Sequence, residues 1–324
     1  MMPKKVFVLV TIDTEADKGN PGWNLQKPLA FKNIPLQKKL LVPLFKKYGI
    51  IPTFLLSPEV IHDQDSVQLL KSLDHVELGT HLHEEFIAPN ANFDADRTKN
   101  TQANLAEGLE REKLTKLTDL FTEKFGYPPK SFRSGRFGRS KSTSSILADL
   151  GYNAVSDITP YTYKLIEGHV LNHWKEPLEP YWEKFGEKKI LQVPLTLINP
   201  DYHKIPFFLR KNIGNPENIK RRISKKLGYK LKTRWLRPYR ESGQGMIEIA
   251  DYVVNNHFKK QEFAILNIMF HSNEILVKGS PYCQTNEEVK NYLTSLETLF
   301  KHLNKNYDLC SISLGDVSTI LSQN

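Results

Sequence analysis

The chain has 324 residues, of which 40% are hydrophobic and 25% charged, a composition that excludes a fibrous or largely disordered protein. Its two cysteines, Cys283 and Cys310, are too few for a disulfide framework and form no CxxC zinc motif. No apolar run reaches the ~18 residues of a membrane-spanning helix, and no signal peptide is recognisable, so we expect a cytoplasmic protein.

Apolar, β-rich runs alternate with helical patterns along the chain. The predicted strands are 6–12, 52–56, 76–78, 131–132, 154–155, 190–197, 263–270 and the start of 309–321. The predicted helices are 34–48, 65–73, 100–125, 143–150, 247–255 and 287–303. This alternation predicts parallel βαβ units and an α/β class. Pattern alone does not choose between a barrel and a doubly wound sheet.

The first predicted strand ends in two carboxylates, Asp13 and Glu15. In an extended chain the D-x-E spacing puts both side chains on one face. Two close carboxylates stay ionised at low cost only beside a cation, so one can bind metal while the other acts as a base. The alternative is a solvated acidic turn.

A later strand ends in two histidines with the same spacing, His81 and His83. Two imidazoles on one face suit a zinc-like ion, although they could also be two ordinary surface histidines. One carboxylate and two imidazoles together leave coordination positions open, which is typical of catalytic metal sites.

Two further strand ends carry Arg133, in FRSGRFG, and His271, in LNIMFHSNE. An amine leaves poorly as an anion, so a third imidazole near the metal could protonate it, and His271 is the candidate for that general acid. Arg133 could orient the base through an ion pair.

At these residues the sequence resembles the polysaccharide deacetylase family, which is built on the NodB homology domain. The resemblance covers nearly the whole chain and is carried, in order, by VTIDTE, GTHLHEE, FRSGRFG, GYNAVSDITP and LNIMFHSNE. Most members have H-x-x-x-H in the second motif, and the third motif here is one residue longer than the common form. The resemblance implies one α/β domain over 1–324, a distorted (β/α)7 barrel, with a basic helical insert at about 203–242.

The resemblance also implies roles for the catalytic residues. Asp13 would be the catalytic base, braced by Arg133, and His271 the general acid. The ligands of a divalent metal, usually zinc, would be Glu15, His81 and His83.

Three further expectations concern the neighbourhood of this site. Glu85 is an alternative to His83 as a metal ligand, and Asp157 is expected to brace the arginine. Contacts to the substrate are expected from Trp23, Arg136 and Phe137.

The implied activity is metal-dependent removal of acetyl from the nitrogen of an amino sugar, in a polysaccharide or a lipid-linked glycan precursor. The same site could serve a deformylase or amidase that acts on a lipid-linked amino sugar or a small amide. The same fold could also form a non-catalytic carbohydrate-binding protein, and a barrel with two carboxylates could be a glycosidase.

The net charge of +9 is concentrated in residues 204–240, which hold 13 lysines and arginines and a single acid, so the rest of the chain sums to about −3. Asn215 followed by Pro216 predicts the start of a helix, in which Ile219, Ile223 and Leu227 recur among cations. This helix could dock peripherally on an anionic membrane surface, at the inner membrane face, or on a lipid phosphate. Alternatively, its apolar face packs on the barrel. No nucleic-acid motif accompanies it, so no nucleic-acid partner is expected.

Overall fold

The computed structural model describes residues 3–19, 24–93, 101–166, 168–210, 213–215 and 218–321. The strands in these ranges are β1 (Lys5–Thr14), β2 (Lys18–Gly19), β3 (Asn24–Leu25), β4 (Pro52–Leu56), β5 (Glu77–Leu82), β6 (Ser131–Ser134), β7 (Ala154–Val155), β8 (Tyr163–Ile166), β9 (His169–Asn172), β10 (Tyr181–Phe185), β11 (Lys188–Gln192), β12 (Leu197–Ile198), β13 (Arg234–Trp235), β14 (Phe263–His271) and β15 (Asp308–Ser311). The α-helices are α1 (Asn33–Leu36), α2 (Val42–Lys47), α3 (Pro58–His62), α4 (Gln64–Lys71), α5 (Glu107–Phe125), α6 (Thr143–Asp149), α7 (Phe207–Arg210), α8 (Ile219–Lys226), α9 (Gly243–Tyr252), α10 (Asn286–Asn306) and α11 (Val317–Leu321).

The main sheet is parallel and curls into a half-barrel. Its hydrogen-bonded order is β10-β11-β7-β6-β5-β4-β1-β14, and every neighbouring pair from β11 to β14 is parallel. β10 adds an antiparallel edge, and β15 pairs with the first half of β1. The seven consecutive parallel strands from β11 to β14 confirm the predicted (β/α)7 barrel, and β15 adds a short eighth parallel strand beside β1. β1 lies between neighbours and its inner residues are buried, as its unbroken apolar pattern predicts.

One backbone hydrogen bond and several side-chain hydrogen bonds, rather than a strand ladder, join β14 to the chain that follows β11. Among the described residues, no strand ladder joins β14 to this stretch of chain. Instead, Thr196 N–H donates to Asn267 O at 3.0 Å, and Asn267 N–H donates to Thr196 Oγ1 at 2.8 Å. The buried Asn267 amide also donates to the carbonyls of Val193 and Pro194, at 3.2 and 3.3 Å. The barrel is therefore distorted at this seam, and Asn267 joins its two edges.

Most predicted elements lie where the pattern puts them, with three differences. The predicted helix 100–125 begins at Glu107, and residue 100 lies outside the described ranges; a separate 3-10 turn at Gln102–Asn104, capped by Thr101, precedes it. The predicted strand 190–197 is split, because Pro194 has no N–H for a ladder. The β8–β9 hairpin and β10 were not predicted, since their partly exposed strands lack a clear apolar pattern.

The predicted basic helix is present as α8, but it begins later than expected and turns its apolar face outwards. Its N-cap is Asn218, whose Oδ1 accepts from Lys220 N–H at 2.9 Å, so the predicted start at Asn215 is wrong. Ile219 is 68% exposed and Leu227 62%, whereas Ser224 is buried. The alternative in which the apolar face packs on the barrel is therefore wrong.

No helix in the described ranges combines the length and the apolar character that crossing a bilayer requires.

Candidate active site

Four parallel strands, β6, β5, β1 and β14, end at the same edge of the sheet, and residues at their ends meet in one cleft. The register pairs Asp13 with His271 across β1 and β14, and His81 with Arg133 across β5 and β6. The carboxyl ends of parallel strands are where ligand sites gather in α/β folds. Asp13, Glu15, His81, His83 and His271 all line this cleft, which has a volume of about 310 Å³.

Glu15, His81 and His83 form a compact group that could hold a metal. Their ligand atoms lie within 4.8 Å of one another, and all three residues are buried. Glu15 Oε1 is 3.2 Å from Nε2 of His81 and 3.2 Å from Nε2 of His83.

The hydrogen bond made by Nδ1 of His81 indicates whether this group of residues suits a metal. Nδ1–H of His81 donates to the backbone carbonyl of Arg133 at 3.0 Å. This bond directs the lone pair of Nε2 towards Glu15, and a lone pair facing a carboxylate oxygen calls for a cation between them. The donor set of one carboxylate and two imidazoles fits zinc and similar divalent ions.

The charges of this group are strongly coupled. Burial works to raise the pKa of Glu15, but the nearby charges of Lys18 and His83 outweigh it and hold that pKa well below its ordinary value. Burial opposes charge on His83 as well, yet Glu15 and Glu85 raise its pKa to about 9. In the absence of metal, His83 is therefore an imidazolium at neutral pH.

Lys18 completes the neutralisation of Glu15, and no pattern in the sequence pointed to it. Its ammonium group pairs with Glu15 Oε2, on the side of the carboxylate away from the histidines. Lys18 lies in a two-residue strand, β2, which is too short to show a periodicity that would single it out. Its proximity to Glu15 depends on the turn that follows β1, where Asp17 accepts from Lys32 N–H and Asn33 N–H.

Asp13 is held by Arg133, which is completely buried. Nη1 of Arg133 donates to Asp13 Oδ1 at 2.6 Å, while Nη2 donates to Thr11 Oγ1 at 2.7 Å and to Ser156 Oγ at 2.9 Å. Asp13 Oδ2 remains directed at the cleft, 3.9 Å from His81 Nε2 and 3.8 Å from His271 Nε2. Burial favours the neutral acid, but Arg133 and the two histidines outweigh it and lower the pKa of Asp13.

Asp157 does not brace the arginine, so that prediction is wrong. Its carboxylate accepts from Ser134 N–H at 2.6 Å and from Ser134 Oγ–H at 3.3 Å. Ser156, one residue earlier, contacts the guanidinium instead, through its carbonyl and its hydroxyl. Successive side chains in extended chain point to opposite sides, so a shift of one residue exchanges the two roles.

His271 is the third imidazole in the cleft. Its Nε2 lies 3.8 Å from both Asp13 Oδ2 and Glu15 Oε1. Its Nδ1 lies 3.0 Å from Glu274 Oε1 and 3.0 Å from Arg237 Nη2, two contacts that need opposite protonation of that nitrogen. Because Arg237 already pairs with Glu274, we assign the Nδ1 proton to the Glu274 contact. Burial lowers the pKa of His271, and Glu274 partly opposes this shift.

The turn after β6 brings Arg136 and Phe137 to the cleft. Both have positive φ, 59° and 58°. Gly135 allows the close approach, since a Cβ there would lie 2.5 Å from the Leu82 carbonyl oxygen. Phe137 is buried, with its ring centroid 6.1 Å from that of Trp235. Trp23, the third expected substrate contact, lies outside the described residues.

Glu85 lies outside the ligand group. It pairs with Arg136 at 2.6 Å and lies 3.6 Å from Nδ1 of His83, whereas Nε2 of His83 faces Glu15. Glu85 therefore lies behind the imidazole, where it can orient the ring, and His83 is the residue that joins the cluster.

Several lining residues were not among the predicted site residues: Glu59, Lys164, Trp235, Arg237, Arg240 and Tyr282. Glu59 Oε1 accepts from Ala16 N–H at 3.1 Å, while its buried Oε2 has no partner among the described residues, and burial raises its pKa. Glu274, also unpredicted, follows His271 by three residues, a spacing that could have indicated a partner for its ring.

No family model and no curated protein match the sequence. Solved structures do match the fold. A protein assigned as a polysaccharide deacetylase from Pseudomonas aeruginosa PAO1 aligns with a TM-score of 0.56 at 13% identity, covering 99% of this chain and 91% of its own. Another so assigned, from Mycobacterium smegmatis, has a TM-score of 0.54 at 12% identity, covering 100% and 94%. The Puue allantoinase has a TM-score of 0.52 at 12% identity, covering 99% and 90%. At these identities the similarity shows the fold.

The charge on His83 predicts that binding of a divalent metal releases a proton. Because the pKa of His83 is about 9 in the metal-free site, the ring must lose its proton to become a ligand at pH 7. Zinc affinity should therefore rise with pH up to about that value. Calorimetric titration with zinc at pH 7, in buffers of different ionisation enthalpy, should give a release of about one proton per metal.

His302→Asn is a suitable control, because that histidine lies on α10 and bonds to Asp251 outside the cleft. It should leave proton release unchanged, whereas His83→Asn should remove it together with most of the affinity. Tight binding without proton release would contradict the assignment of His83.

Proposed function

We propose that this protein is a metal-dependent hydrolase that removes an acyl group, acetyl in the first instance, from the nitrogen of an amino sugar in a polysaccharide or a lipid-linked glycan precursor. One observation carries the proposal: the Glu15–His81–His83 group lies beside a separate carboxylate, Asp13, and a third imidazole, His271. Metal-assisted hydrolysis needs a ligand set, a base and an acid within one cleft. The fold shared with two proteins assigned as polysaccharide deacetylases supports the same reaction class.

In this proposal Glu15, His81 and His83 would hold the divalent metal, with zinc as the first candidate. When bound, such an ion polarises a carbonyl and lowers the pKa of a water molecule. The hydrogen bond from His81 to the Arg133 carbonyl keeps that imidazole in the tautomer that ligation requires.

Asp13 is the proposed general base. Arg133 occupies Oδ1 and leaves Oδ2 free to accept the proton of the attacking water. Because the ion pair keeps the pKa of Asp13 low, the carboxylate is ionised at neutral pH and ready to accept. A buried guanidinium also fixes the direction of the carboxylate, which favours attack from one position.

His271 is the proposed general acid. Its Nε2 takes up the proton that Asp13 has received from the attacking water, since Asp13 Oδ2 lies 3.8 Å away, and then donates that proton to the departing nitrogen. Glu274 accepts from Nδ1 and so directs Nε2 towards the cleft. We assign stabilisation of negative charge on the acyl oxygen to the backbone N–H groups near Gly135 to Phe137, and the close packing of Gly135 against the His83 ring supports this assignment.

Arg136 and Phe137, with Trp23, are the proposed substrate contacts. The cleft has room for a sugar-sized group rather than a buried polymer, and Phe137 and Trp235 form its apolar wall. A deformylase or an amidase on a small amide remains the alternative, since one structure of the same fold is named an allantoinase.

Replacement of Asp13 by Asn should abolish turnover while metal stays bound. A general base contributes roughly 10²–10⁴-fold, so kcat should fall by about that factor. Turnover is measured by mass spectrometry of nucleotide-linked, lipid-linked and oligomeric N-acetyl and N-formyl sugars, incubated with enzyme and zinc, as loss of the acyl mass.

The control for Asp13→Asn is Asp119→Asn, which changes an exposed aspartate on α5 and should leave kcat unchanged. Because the Asp13 variant leaves Arg133 unpaired, circular dichroism and metal stoichiometry must show that the protein is folded and loaded. Retained turnover in folded Asp13→Asn would remove Asp13 from the mechanism.

Replacement of His271 by Gln should slow amide hydrolysis much more than ester hydrolysis. An amine must be protonated as it leaves, whereas 4-nitrophenolate leaves unaided, so the acid matters only for the amide. We expect a loss of about 10²-fold or more on an N-acetyl sugar and less than about tenfold on 4-nitrophenyl acetate. His257→Gln, outside the cleft, is the control. Equal losses on the two substrates would contradict the role of His271 as an acid.

As a second partner we propose an anionic membrane, contacted through α7 and α8 in a cytoplasmic protein bound at the inner membrane face. Phe208 and Ile219 are each 68% exposed, and Ile223 is 40% exposed. Arg222, Lys225 and Lys226 are exposed on the same short helix. Apolar side chains flanked by cations are the pattern of helices that lie in the interface of anionic membranes.

The double variant Ile219→Ser/Ile223→Ser should reduce binding to vesicles of one phosphatidylglycerol per three phosphatidylcholines, measured by co-sedimentation. The wild type should bind these vesicles and leave pure phosphatidylcholine unbound, because each cation near an anionic surface adds about 1 kcal/mol. Ile51→Ser, at the opposite end of the sheet, should bind like the wild type. Equal binding to the two vesicle types, or none to either, would exclude this surface.

A further inference from the structure

One wall of the cleft is lined by three cations, Lys164, Arg237 and Arg240, which we call the basic wall. Lys164 lies on β8, and the two arginines follow β13, which is paired to β12. None of the three was among the predicted site residues. The cleft has two other cations, Lys18 and Arg136. They form ion pairs with Glu15 and Glu85, beside the proposed metal ligands, and are not part of the basic wall.

The basic wall has more positive charge than its surroundings neutralise. Arg237 pairs with Glu274, and its buried Nε has no partner among the described residues. Within the described ranges, no carboxylate lies within ion-pair distance of Lys164 or Arg240, and the guanidinium of Arg240 lies 5.8 Å from the centroid of the Tyr239 ring. Lys164 and Arg240 are exposed residues at the edge of the cleft. Loss of hydration and the charges of Arg240 and Arg237 lower the pKa of Lys164, as expected for neighbouring cations.

The position of the basic wall relative to His271 indicates which part of the substrate it faces. Arg237 Nη2 lies 3.0 Å from Nδ1 of His271, so the wall begins directly behind the proposed acid. His271 gives its proton to the leaving nitrogen, which stays on the sugar. The wall is therefore on the sugar side of the scissile bond, and the acyl group lies on the side of the metal ligands.

We propose that the basic wall binds an anionic group, a phosphate or a carboxylate, carried by the amino sugar itself. This inference rests on the proposed deacylase function and narrows its substrate class to acidic amino sugars. Unpaired cations in a cleft beside a reaction centre are stabilised by a bound oxyanion, and arginine forms strong charge-assisted hydrogen bonds with such groups.

The test compares the binding of product-like sugars by calorimetry with the zinc-loaded enzyme. The probes are glucosamine, glucosamine 1-phosphate, glucosamine 6-phosphate and muramic acid, so that the two phosphate positions and the carboxylate are separate arms. At least one acidic sugar should bind about 10- to 100-fold more tightly than glucosamine, since charged hydrogen bonds contribute about 1.5–3 kcal/mol each.

The double variant Lys164→Gln/Arg240→Gln should remove most of this preference while its affinity for glucosamine stays the same. The matched control is Lys260→Gln/Lys305→Gln, which removes the same charge at exposed positions outside the cleft and should keep the preference. The inference is overturned if all four sugars bind alike or not at all, or if the double variant keeps the preference.

Measurements of sugar binding and of acyl removal distinguish failure of the anion site from failure of the proposed function. An enzyme that prefers acidic sugars but removes no acyl group would overturn the proposed function and keep the anion site. An enzyme that deacetylates neutral sugars with no preference for acidic ones would keep the function and overturn the anion site.

Discussion

The whole active cleft depends on one buried ion pair, between Arg133 and Asp13. The guanidinium is completely removed from solvent, and an unpaired charge there would cost several kcal/mol. It is satisfied by Asp13, Thr11 and Ser156, which come from β1 and from the end of β7. Because these contacts come from both sides of β6, the arginine can be buried only when the strands are correctly aligned. The same contacts that align the strands therefore also direct Asp13 into the cleft.

The network around Arg133 extends to the seam of the barrel. Thr11 Oγ1 lies 3.2 Å from Asn267 Oδ1, and the amide nitrogen of Asn267 donates to Ser156 Oγ at 3.0 Å. Asn267 also bonds to the chain that follows β11, where the sheet has no ladder. Closure of the distorted barrel and orientation of the proposed base thus share one set of buried polar groups. A buried polar network is stable only if every member has its hydrogen-bond partners. A substitution at Asn267 should therefore also disturb the orientation of the Asp13 carboxylate.

The parallel sheet and the central residues of the cleft could be predicted from the sequence. The other residues that line the cleft could not, for physical reasons. Asp13, Glu15, His81 and His83 follow apolar strands directly, so the period of the strand fixes which face they share. Lys18 and Lys164 come from the short strands β2 and β8 and Glu59 from the short helix α3, and their positions depend on tertiary packing that no local pattern records. Asp157 was misassigned because a one-residue error in extended chain exchanges the two faces.

The basic segment shows why net charge alone is a poor guide to function. From the sequence, its charge of +12 points to a single amphipathic helix. In the structure, Arg234 pairs with Glu241 and Glu248, and Arg221 donates to backbone carbonyls at Ile213 and Gly214, so these cations hold the segment together. Arg237 and Arg240 line the cleft, while Arg222, Lys225 and Lys226 of α8 face solvent beside exposed isoleucines. A single run of positive charge thus divides into structural, cleft-lining and outward-facing groups. Only the backbone path after β12, which returns through β13 to the edge of the cleft, determines which residue belongs to which group.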